Sequence, residues 1–278
     1  MLELDTMSLL LILGEIPGMG RTGIGQFLHH HRITGRTNAE IFRLDQLTLC
    51  KEYRLSETQS ERILAVTPEL IASASKAANG LQGAGVGLLT SADLLYPARL
   101  TTCMSDPPPF LFVYGNLNVL SQPTMMAANS NNAPEQALFA ADDAVANRVQ
   151  DHRTLITGHN RMPYQRPALA AMRNGGQICF VLDRGIVEAF GDDLSRNLFT
   201  LANIWSPKFN LVDNLVISPF LPREHGINRN NQIRDEIIFA LADEILVGSI
   251  RPGGVMEKLS KQAEIHGKSI TSISPNTR

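Results

Sequence analysis

The chain has 278 residues, of which 44% are hydrophobic and 19% charged, and its formal net charge is -2. This is enough for one large domain and a smaller one, and the near-neutral charge excludes a global field that would attract polyanions, so any such site must be a local patch. The three cysteines are widely spaced, which argues against a disulfide framework or a zinc site and favours a reducing cytoplasm.

The first 78 residues are predicted to form a small helical domain. The run MSLLLILGEIPG is too short to span a bilayer and has no basic segment, so we expect neither a signal peptide nor a membrane helix. A turn at Pro17–Gly20 precedes a second helix, and further helices are expected near 39–50 and 56–77. The glycine turn is either helix-hairpin-helix-like, with free backbone N–H groups facing a phosphate, or a simple connection in a helical bundle.

The segment NGLQGAGVG is typical of a hinge, and the pattern changes over residues 85–278. Short apolar runs alternate with stretches long enough for a helix, which predicts an α/β domain: a Rossmann-like parallel sheet with helices on both faces. The predicted strands are VGLL, FLFVYG, TMMAA, TLITG, QICFVL, NLVISPF and EILVGS. The predicted helices are Pro134–Gln150, Pro163–Asn174, Asp193–Trp205, Arg229–Asp243 and Gly254–His266.

Loops beyond the carboxyl ends of the strands are the expected ligand side of such a sheet. They are predicted at Asn129–Pro134, Gly158–Pro163, Asp183–Phe190, Ser218–Gln232 and Gly248–Gly254. Basic side chains in or beside them should converge on one rim, where arginines can bridge phosphates bidentately. These side chains are Arg161, Arg166, Arg223, Arg229, Arg234, His159 and His225. The alternative is that they are ordinary solvated loop residues.

Two proline-containing motifs carry a likeness to a known family. DLLYPARL followed by DPPPFLFVYGN resembles the D-x-x-Y-P-x-x-L and D-P-P-x-x-L-x-x-x-G-N motifs of the DNA-processing protein A family (DprA, also called Smf). The prolines fix φ and deliver the chain extended into a first central strand. The segments at Gly158 and Ser218 resemble the family's S-G-x-A-R-G-I-D and S-E-F-P-P segments, the latter followed by its R-R-N-R-I-I helix.

The resemblance covers about residues 85–270 and implies a protein that binds single-stranded DNA, forms a homodimer and helps to load the recombinase RecA during DNA uptake and recombination. It implies no cofactor, no metal and no catalytic residue. The family's G-S-R loop corresponds to Asn129-Ser130-Asn131 here. With the rim residues, the predicted nucleic-acid-binding set is Ser130, Asn131, Arg161, Arg166, Arg229, Asn230 and Arg234.

Several family positions have changed in this chain. The departures are Asn129 for glycine, Asn131 for arginine, Tyr164 for aspartate, Asp235 for asparagine, and Ile233 and Glu236 for arginine. Phosphate attraction supplies most sequence-independent affinity for nucleic acid. The lost arginines and the added carboxylates therefore predict weakened DNA binding.

The stretch IRPGGVMEKLSK indicates a second kind of site. Gly253 and Gly254 open a predicted helix after a strand, an arrangement that binds anions, although it can also be only a tight helix start. It is similar to the P-G-G-x-G-T-x-x-E motif of lysine decarboxylase-like (LOG) phosphoribohydrolases, in which the glutamate helps to hydrolyse a nucleotide's glycosidic bond. Glu257 follows too soon for that motif and its G-T is missing.

The sequence leaves three functions open. They are binding of single-stranded DNA, binding or N-glycosidic hydrolysis of a nucleotide-like ligand, and a scaffold that acts through protein contacts. No metal site is expected, because the consecutive histidines His29, His30 and His31 point to different sides of a helix and are predicted to form a surface cluster.

Overall fold

The computed structural model describes residues 4–196 and 210–274. The chain divides into two compact units. One unit comprises Met1–Asp93 with Pro108–Leu111, and the other comprises Leu94–Pro107 with Phe112–Arg278. Helices supply most of the buried apolar side chains in the first unit, whereas a sheet with helices packed on it supplies those in the second.

The first unit is built from short helices with well-defined starts. Asp5, Asp45, Ser56 and Thr67 each accept a hydrogen bond from a backbone N–H in the first turn of the helix that follows. The elements are α1 (Thr6–Gly14), α2 (Arg21–Thr34), a 3-10 turn (Glu40–Arg43), α3 (Gln46–Glu52), α4 (Glu57–Leu64), α5 (Pro68–Gly83) and β1 (Val86–Thr90). Most side chains of α1 are buried, so this helix contributes much of the unit's core.

Two of the helices expected in this unit are divided. The stretch 56–77 forms α4 and α5, because Pro68 has no N–H to continue a helix and Thr67 caps a new start. The stretch 39–50 likewise divides into the 3-10 turn and α3. Capping chemistry therefore sets helix boundaries that the apolar periodicity alone does not reveal.

The segment 79–87 forms the end of α5 and the start of β1, which meet at Gly85 with a left-handed φ of 89°. One further expectation for this unit is wrong, because His31 is buried rather than at the surface. Its Nε2 lies 2.9 Å from Oδ1 of Asn38, and its Nδ1 lies 3.3 Å from the Tyr53 hydroxyl.

The second unit alternates strands and helices, as predicted. Its helices are α6 (Ala98–Cys103), α7 (Glu135–Gln150), α8 (Met162–Arg173), α9 (Ile186–Phe190), α10 (Asn228–Leu241) and α11 (Val255–Ile265). Its strands are β2 (Phe110–Gly115, which belongs to this unit from Phe112 onward), β3 (Thr124–Ala128), β4 (Thr154–Thr157), β5 (Ile178–Val181), β6 (Leu215–Ser218), β7 (Glu244–Val247) and β8 (Ser269–Ser272).

Four of the five predicted helices agree with α7, α8, α10 and α11 to within two residues at either end. The fifth, Asp193–Trp205, lies largely outside the described residues, and its described part, 193–196, is not helical. None of the helices in the described ranges combines the length and the hydropathy needed to cross a bilayer.

The predicted Rossmann-like sheet is confirmed, with one difference. The strand order in this unit is β2-β6-β5-β4-β3-β7-β8, and every neighbouring pair from β3 to β8 is parallel. The strand β2 instead runs antiparallel to β6, with Tyr114 opposite Val216. FLFVYG is therefore not the first central strand, and the parallel series begins at β3.

The order of the strands sets where a ligand can bind. From β3 the chain moves stepwise to β4, β5 and β6, and then returns through α10 to place β7 on the other side of β3. Right-handed crossovers in opposite directions put their helices on opposite faces of the sheet. Accordingly α7 packs on α8, whereas α10 packs on α6 and α11. The strand order reverses between β3 and β7, which is where open α/β sheets bind ligands.

Candidate nucleic-acid interface

The loops beyond the carboxyl ends of β3 to β7 form the candidate site, which we call the strand-end rim. It consists of residues 129–134, 158–161, 183–185, 219–227 and 248–254. At the point where the strand order reverses, the first and last of these loops are joined by hydrogen bonds. The Ser130 N–H donates to the Ser249 carbonyl at 2.8 Å, and the Arg251 N–H donates to Ser130 Oγ at 2.8 Å.

The residue that replaces the family glycine fills this crevice. Asn129 is buried, and its Oδ1 accepts a hydrogen bond from the Ser249 N–H at 2.8 Å. A Cβ at Gly248 would collide with the same oxygen, so the glycine at 248 makes room for the asparagine. Ser130 is half-buried and Asn131 is exposed at the start of the loop that leads to α7. The loop joins a central parallel strand to a helix, as the sequence predicts.

Arg234 lies inside the protein rather than on the strand-end rim. The residue is only 1% exposed. Its Nη1 donates to Asn160 Oδ1 at 2.7 Å and to Asn231 Oδ1 at 2.9 Å, and its guanidinium carbon lies 4.6 Å from the centre of the Tyr164 ring. The side chain thereby ties the first turns of α10 to the loop after β4, and it has little surface to offer a phosphate.

The carboxylate next to it is also internal. Asp235 is 7% exposed and accepts hydrogen bonds at one oxygen from Arg234 Nη2 at 2.7 Å and from the Tyr164 hydroxyl at 2.6 Å. Burial raises the pKa of Asp235, and the adjacent Arg234 charge acts in the opposite direction. The expectation that this carboxylate repels phosphates is therefore wrong, because the group faces Arg234 and Tyr164 and not the solvent.

Glu236 lies away from the loops altogether. It accepts a hydrogen bond from Gln232 Nε2 at 2.8 Å on the surface of α10. It also lines a cavity of about 210 Å³ whose other walls come from α11 and from the end of α6. Of the carboxylates that the sequence predicted to oppose DNA binding, neither Asp235 nor Glu236 belongs to the strand-end rim.

A buried histidine and aspartate lie at the ends of β4 and β5. His159 is 7% exposed, and its Nε2 lies 3.8 Å from Asp183 Oδ1. Arg184 Nε donates to the same oxygen at 2.9 Å, and Asn160 Nδ2 donates to the other at 2.5 Å. Burial lowers the pKa of His159 to about 4, against the attraction of Asp183, so the ring is neutral at physiological pH.

The sequence does not reveal this polar network. Asp183 falls in a loop on the predicted ligand side of the sheet, but no motif assigns its carboxylate a role. The available signal is Tyr164, which stands where the resemblance expects an aspartate. The network requires knowing which side chains turn inward, and loop residues have no apolar periodicity that would reveal it.

The remaining predicted arginines occupy three different environments. Arg161 and Arg229 are exposed, the first as the N-cap residue of α8 and the second in the first turn of α10. Arg223 is exposed and pairs with Asp192 at 2.6 Å. Arg166 forms a salt bridge with Asp142 of α7, with its Nη2 2.5 Å from Oδ2. Asn230 is buried and donates to the His225 carbonyl at 3.3 Å.

In the PGG segment a backbone N–H already binds a carboxylate of the same chain. Gly253 has a left-handed φ of 71°, and its N–H donates to Glu257 Oε2 at 2.7 Å. Glu257 also pairs with Lys261 at 3.0 Å. The Gly253 N–H, followed by Lys261, lowers the pKa of Glu257. This glutamate therefore holds the turn before α11 and pairs with Lys261, and it is not a carboxylate in an enclosed site. No cluster of potential metal ligands occurs among the described residues.

Comparisons with known proteins agree with this architecture. The family model of the DNA recombination-mediator protein A matches residues 87–256, which is more than half of the chain. No curated protein matches the chain significantly.

Two solved structures share the fold. DNA processing protein A from Streptococcus pneumoniae superposes with a TM-score of 0.72 at 18% identity, over 96% of this chain and 86% of that one. DNA processing protein A from Helicobacter pylori, described for its single-stranded DNA binding mode, superposes with a TM-score of 0.52 at 11% identity, over 67% of this chain and 80% of that one. With the family match over residues 87–256, these findings establish that the chain belongs to the DNA recombination-mediator protein A family.

Proposed function

We propose that this protein binds single-stranded DNA at the strand-end rim without catalysing a reaction, and that it acts in the cytoplasm as a recombination mediator. The observation that carries the proposal is the exposure of Arg161, in the loop after β4, and of Arg229, in the first turn of α10. Hydrogen bonds from Arg234 to Asn160 and Asn231 join these two elements. Family membership gives the class of ligand, since the Helicobacter pylori relative is described as a single-stranded DNA binder.

Helix starts at the strand-end rim add to these two cations. The helices α7, α8 and α10 all begin there, after Pro134, Arg161 and Ile227, and none of these three residues caps its helix with a side chain. The first N–H groups of a helix lack partners within it and carry a partial positive charge. At α8 fewer such groups are available, because Pro163 has no N–H and the Tyr164 N–H donates to the Arg161 carbonyl at 2.9 Å. Backbone donors of this kind bind phosphate oxygens without reading the base sequence. They support a binder that tolerates many sequences.

The salt dependence of oligonucleotide binding tests the proposal. Each phosphate contact to a single strand contributes about -0.7 to the slope of log K against log salt concentration. The Arg161→Ala variant should therefore bind a fluorescent dT oligonucleotide more weakly, with a slope about 0.7 shallower than the parent. Fluorescence anisotropy at four or more salt concentrations measures both quantities.

The same helix provides a matched control. Arg173 is also exposed, but it lies in the last turn of α8, at the end away from the strand-end rim. The Arg173→Ala variant removes one positive charge, as Arg161→Ala does, and should keep the parental slope. Equal effects of the two variants would show that only net charge matters, and a parent that binds no oligonucleotide would favour the scaffold function.

The hydrolase alternative is not proposed. Its glutamate, Glu257, holds the turn before its own helix and pairs with Lys261. Binding of a nucleotide-like ligand at the same loops is distinguished by competition, because a mononucleotide that displaces the oligonucleotide at low concentration would identify it. Homodimer formation and contact with the recombinase RecA complete the proposal. Sedimentation velocity of the protein, alone and mixed with RecA, tests both.

A further inference from the structure

An aromatic side chain beside the strand-end rim is exposed to solvent. Phe139 lies in the second turn of α7, and the residue is 53% exposed. One face of its ring is covered by Arg166 of α8, whose guanidinium carbon lies 4.2 Å from the ring centre. This geometry is a cation–π contact, which fixes the ring without removing the rest of it from solvent.

The arginine that covers the ring is itself held in place. Arg166 donates to Asp142 Oδ2 from Nε at 2.9 Å and from Nη2 at 2.5 Å. The side chains of both partners are mostly buried, at 17% and 20% exposure. The ring, the guanidinium and the carboxylate thus form a preorganised unit across two packed helices. Because these side chains are already ordered, the protein loses little side-chain entropy when a ligand contacts the ring.

The location links this unit to the proposed ligand. Phe139 follows the loop 129–134 by five residues, and Arg166 follows Arg161 by five. Both side chains therefore project from the beginnings of helices whose N-termini adjoin the strand-end rim. Phe139 lies four residues, about 6 Å along the helix axis, beyond the first residue of α7, so the ring adjoins the end of that helix that begins at the strand-end rim.

The charges around the ring restrict how a ligand can lie. Glu135 and Asp143 are four residues before and after Phe139, so they flank it along α7 and disfavour a phosphate on that side. On the α8 side lie Met162, four residues before Arg166, and the exposed Arg161. The flat apolar part of the ligand should face Phe139 and its phosphates should lie toward Arg161.

We propose that Phe139 and Arg166 form a base-stacking platform, on which one nucleobase of a bound single strand stacks against the ring. The arrangement rests on the proposed function, and it adds a sequence-tolerant contact to the phosphate contacts. Every base has a π-face, and stacking on aromatic side chains is a common means of binding single strands without reading their sequence. A protein that lacks several family arginines gains affinity in this way without further positive charge.

Substitution of the ring tests the platform. The Phe139→Ala variant should bind a dT oligonucleotide roughly five- to 150-fold more weakly, the range for loss of one stacked base, with an unchanged salt slope. The Phe139→Trp variant should restore binding. An oligonucleotide of equal length with abasic sites should bind the parent and Phe139→Ala equally, because it keeps phosphates and has no base to stack. Thermal melting confirms that the variants fold.

Other results overturn the platform in distinguishable ways. Equal dT binding by the parent and Phe139→Ala would rule out the stacking platform and leave the proposed function intact. A parent that does not bind dT at all would rule out both the platform and the proposed function. If Phe139→Ala changes the sedimentation coefficient of the free protein and leaves dT binding unchanged, the ring is a contact between protein chains and not a base contact.

Discussion

Arg234 shows how a side chain in a DNA-binding motif can have a structural role. The Arg234→Ala variant should lose about 3–5 kcal/mol of unfolding free energy, because it leaves the buried Asp235 carboxylate without its cation. Its salt slope for oligonucleotide binding should stay parental at temperatures where it is folded. Urea unfolding and anisotropy measure the two effects.

A charge-conserving variant distinguishes the contribution of the guanidinium's hydrogen-bonding geometry from that of its positive charge. Arg234→Lys keeps the positive charge but cannot reach Asn160, Asn231 and Asp235 together, because an ammonium lacks the fork of the guanidinium. It should also be destabilised. Parental stability of Arg234→Ala together with a shallower salt slope would instead mean that the side chain leaves its buried site to contact phosphate.

His159 makes the stability of the protein depend on acidity. Burial lowers its pKa from the ordinary 6.5 to about 4, so below pH 6.5 the unfolded chain takes up a proton before the folded protein does. The unfolding free energy is therefore unaffected above pH 6.5 and should fall by about 3 kcal/mol from this residue as the pH drops to 4. The charged groups that face the ring are Asp183, Arg184 and Arg234.

Urea unfolding at pH 7 and pH 4.5 measures this effect. The His159→Gln variant, which cannot take up the proton, should lose less stability between the two pH values than the parent does. His266→Gln removes an exposed histidine and should follow the parent. If His159→Gln keeps the full acid sensitivity, other groups cause it.

The pair Tyr164 and Asp235 explains what the sequence could and could not reveal about single residues. The motifs single out both positions, as well as Arg234. Whether each faces solvent or the interior depends on neighbours that are about 70 positions away in the chain, since the Tyr164 hydroxyl donates to Asp235 over a separation of 71 residues.

Elements with strong apolar patterns were predictable and the others were not. The helices α7, α8, α10 and α11 and the buried parallel strands follow directly from their periodicity and turn residues. The strand β8 was missed because it lies at the edge of the sheet and its residues are exposed or half-buried, so it has no apolar run. The direction of β2 depends on its pairing with β6, about 100 residues later, and no local pattern encodes it.

The loop between β3 and α7 allows a gain-of-binding test. Asn131 is exposed at the strand-end rim, where the resemblance expects an arginine. The Asn131→Arg variant should bind the dT oligonucleotide more tightly at low salt, with a slope about 0.7 steeper. Its melting temperature should change little, because exposed loop substitutions stay within about 0.5 kcal/mol. Anisotropy and thermal melting check these outcomes.

The Glu236→Arg variant is the control for the position of the added positive charge. It adds an arginine at the other family position and removes a carboxylate, but it places the new charge beside the cavity between α10 and α11. Glu236→Arg should therefore leave the salt slope unchanged. A steeper slope for Glu236→Arg than for Asn131→Arg would show that DNA runs along α10 rather than across the strand-end rim.

The molecule as a whole carries little net charge, at -2, so it offers no long-range attraction to DNA. Parallel strands direct five loops, and the helix starts that follow them, to a single edge of the sheet. The near-neutral composition, which excludes only a global field, is compatible with a binding site confined to that edge.

The return of the chain to β3 has a consequence for synthesis on the ribosome. Thr124, at the start of β3, is hydrogen-bonded to Asp243 beside β7, and the two are 119 residues apart. At roughly 5–20 residues per second, β7 emerges about 6–24 s after β3. During that interval the apolar strand TMMAA has one edge without its final partner. For several seconds a nascent chain therefore exposes an unpaired strand edge that can pair with other chains. A chaperone that shields such edges would act on this protein before its sheet is complete.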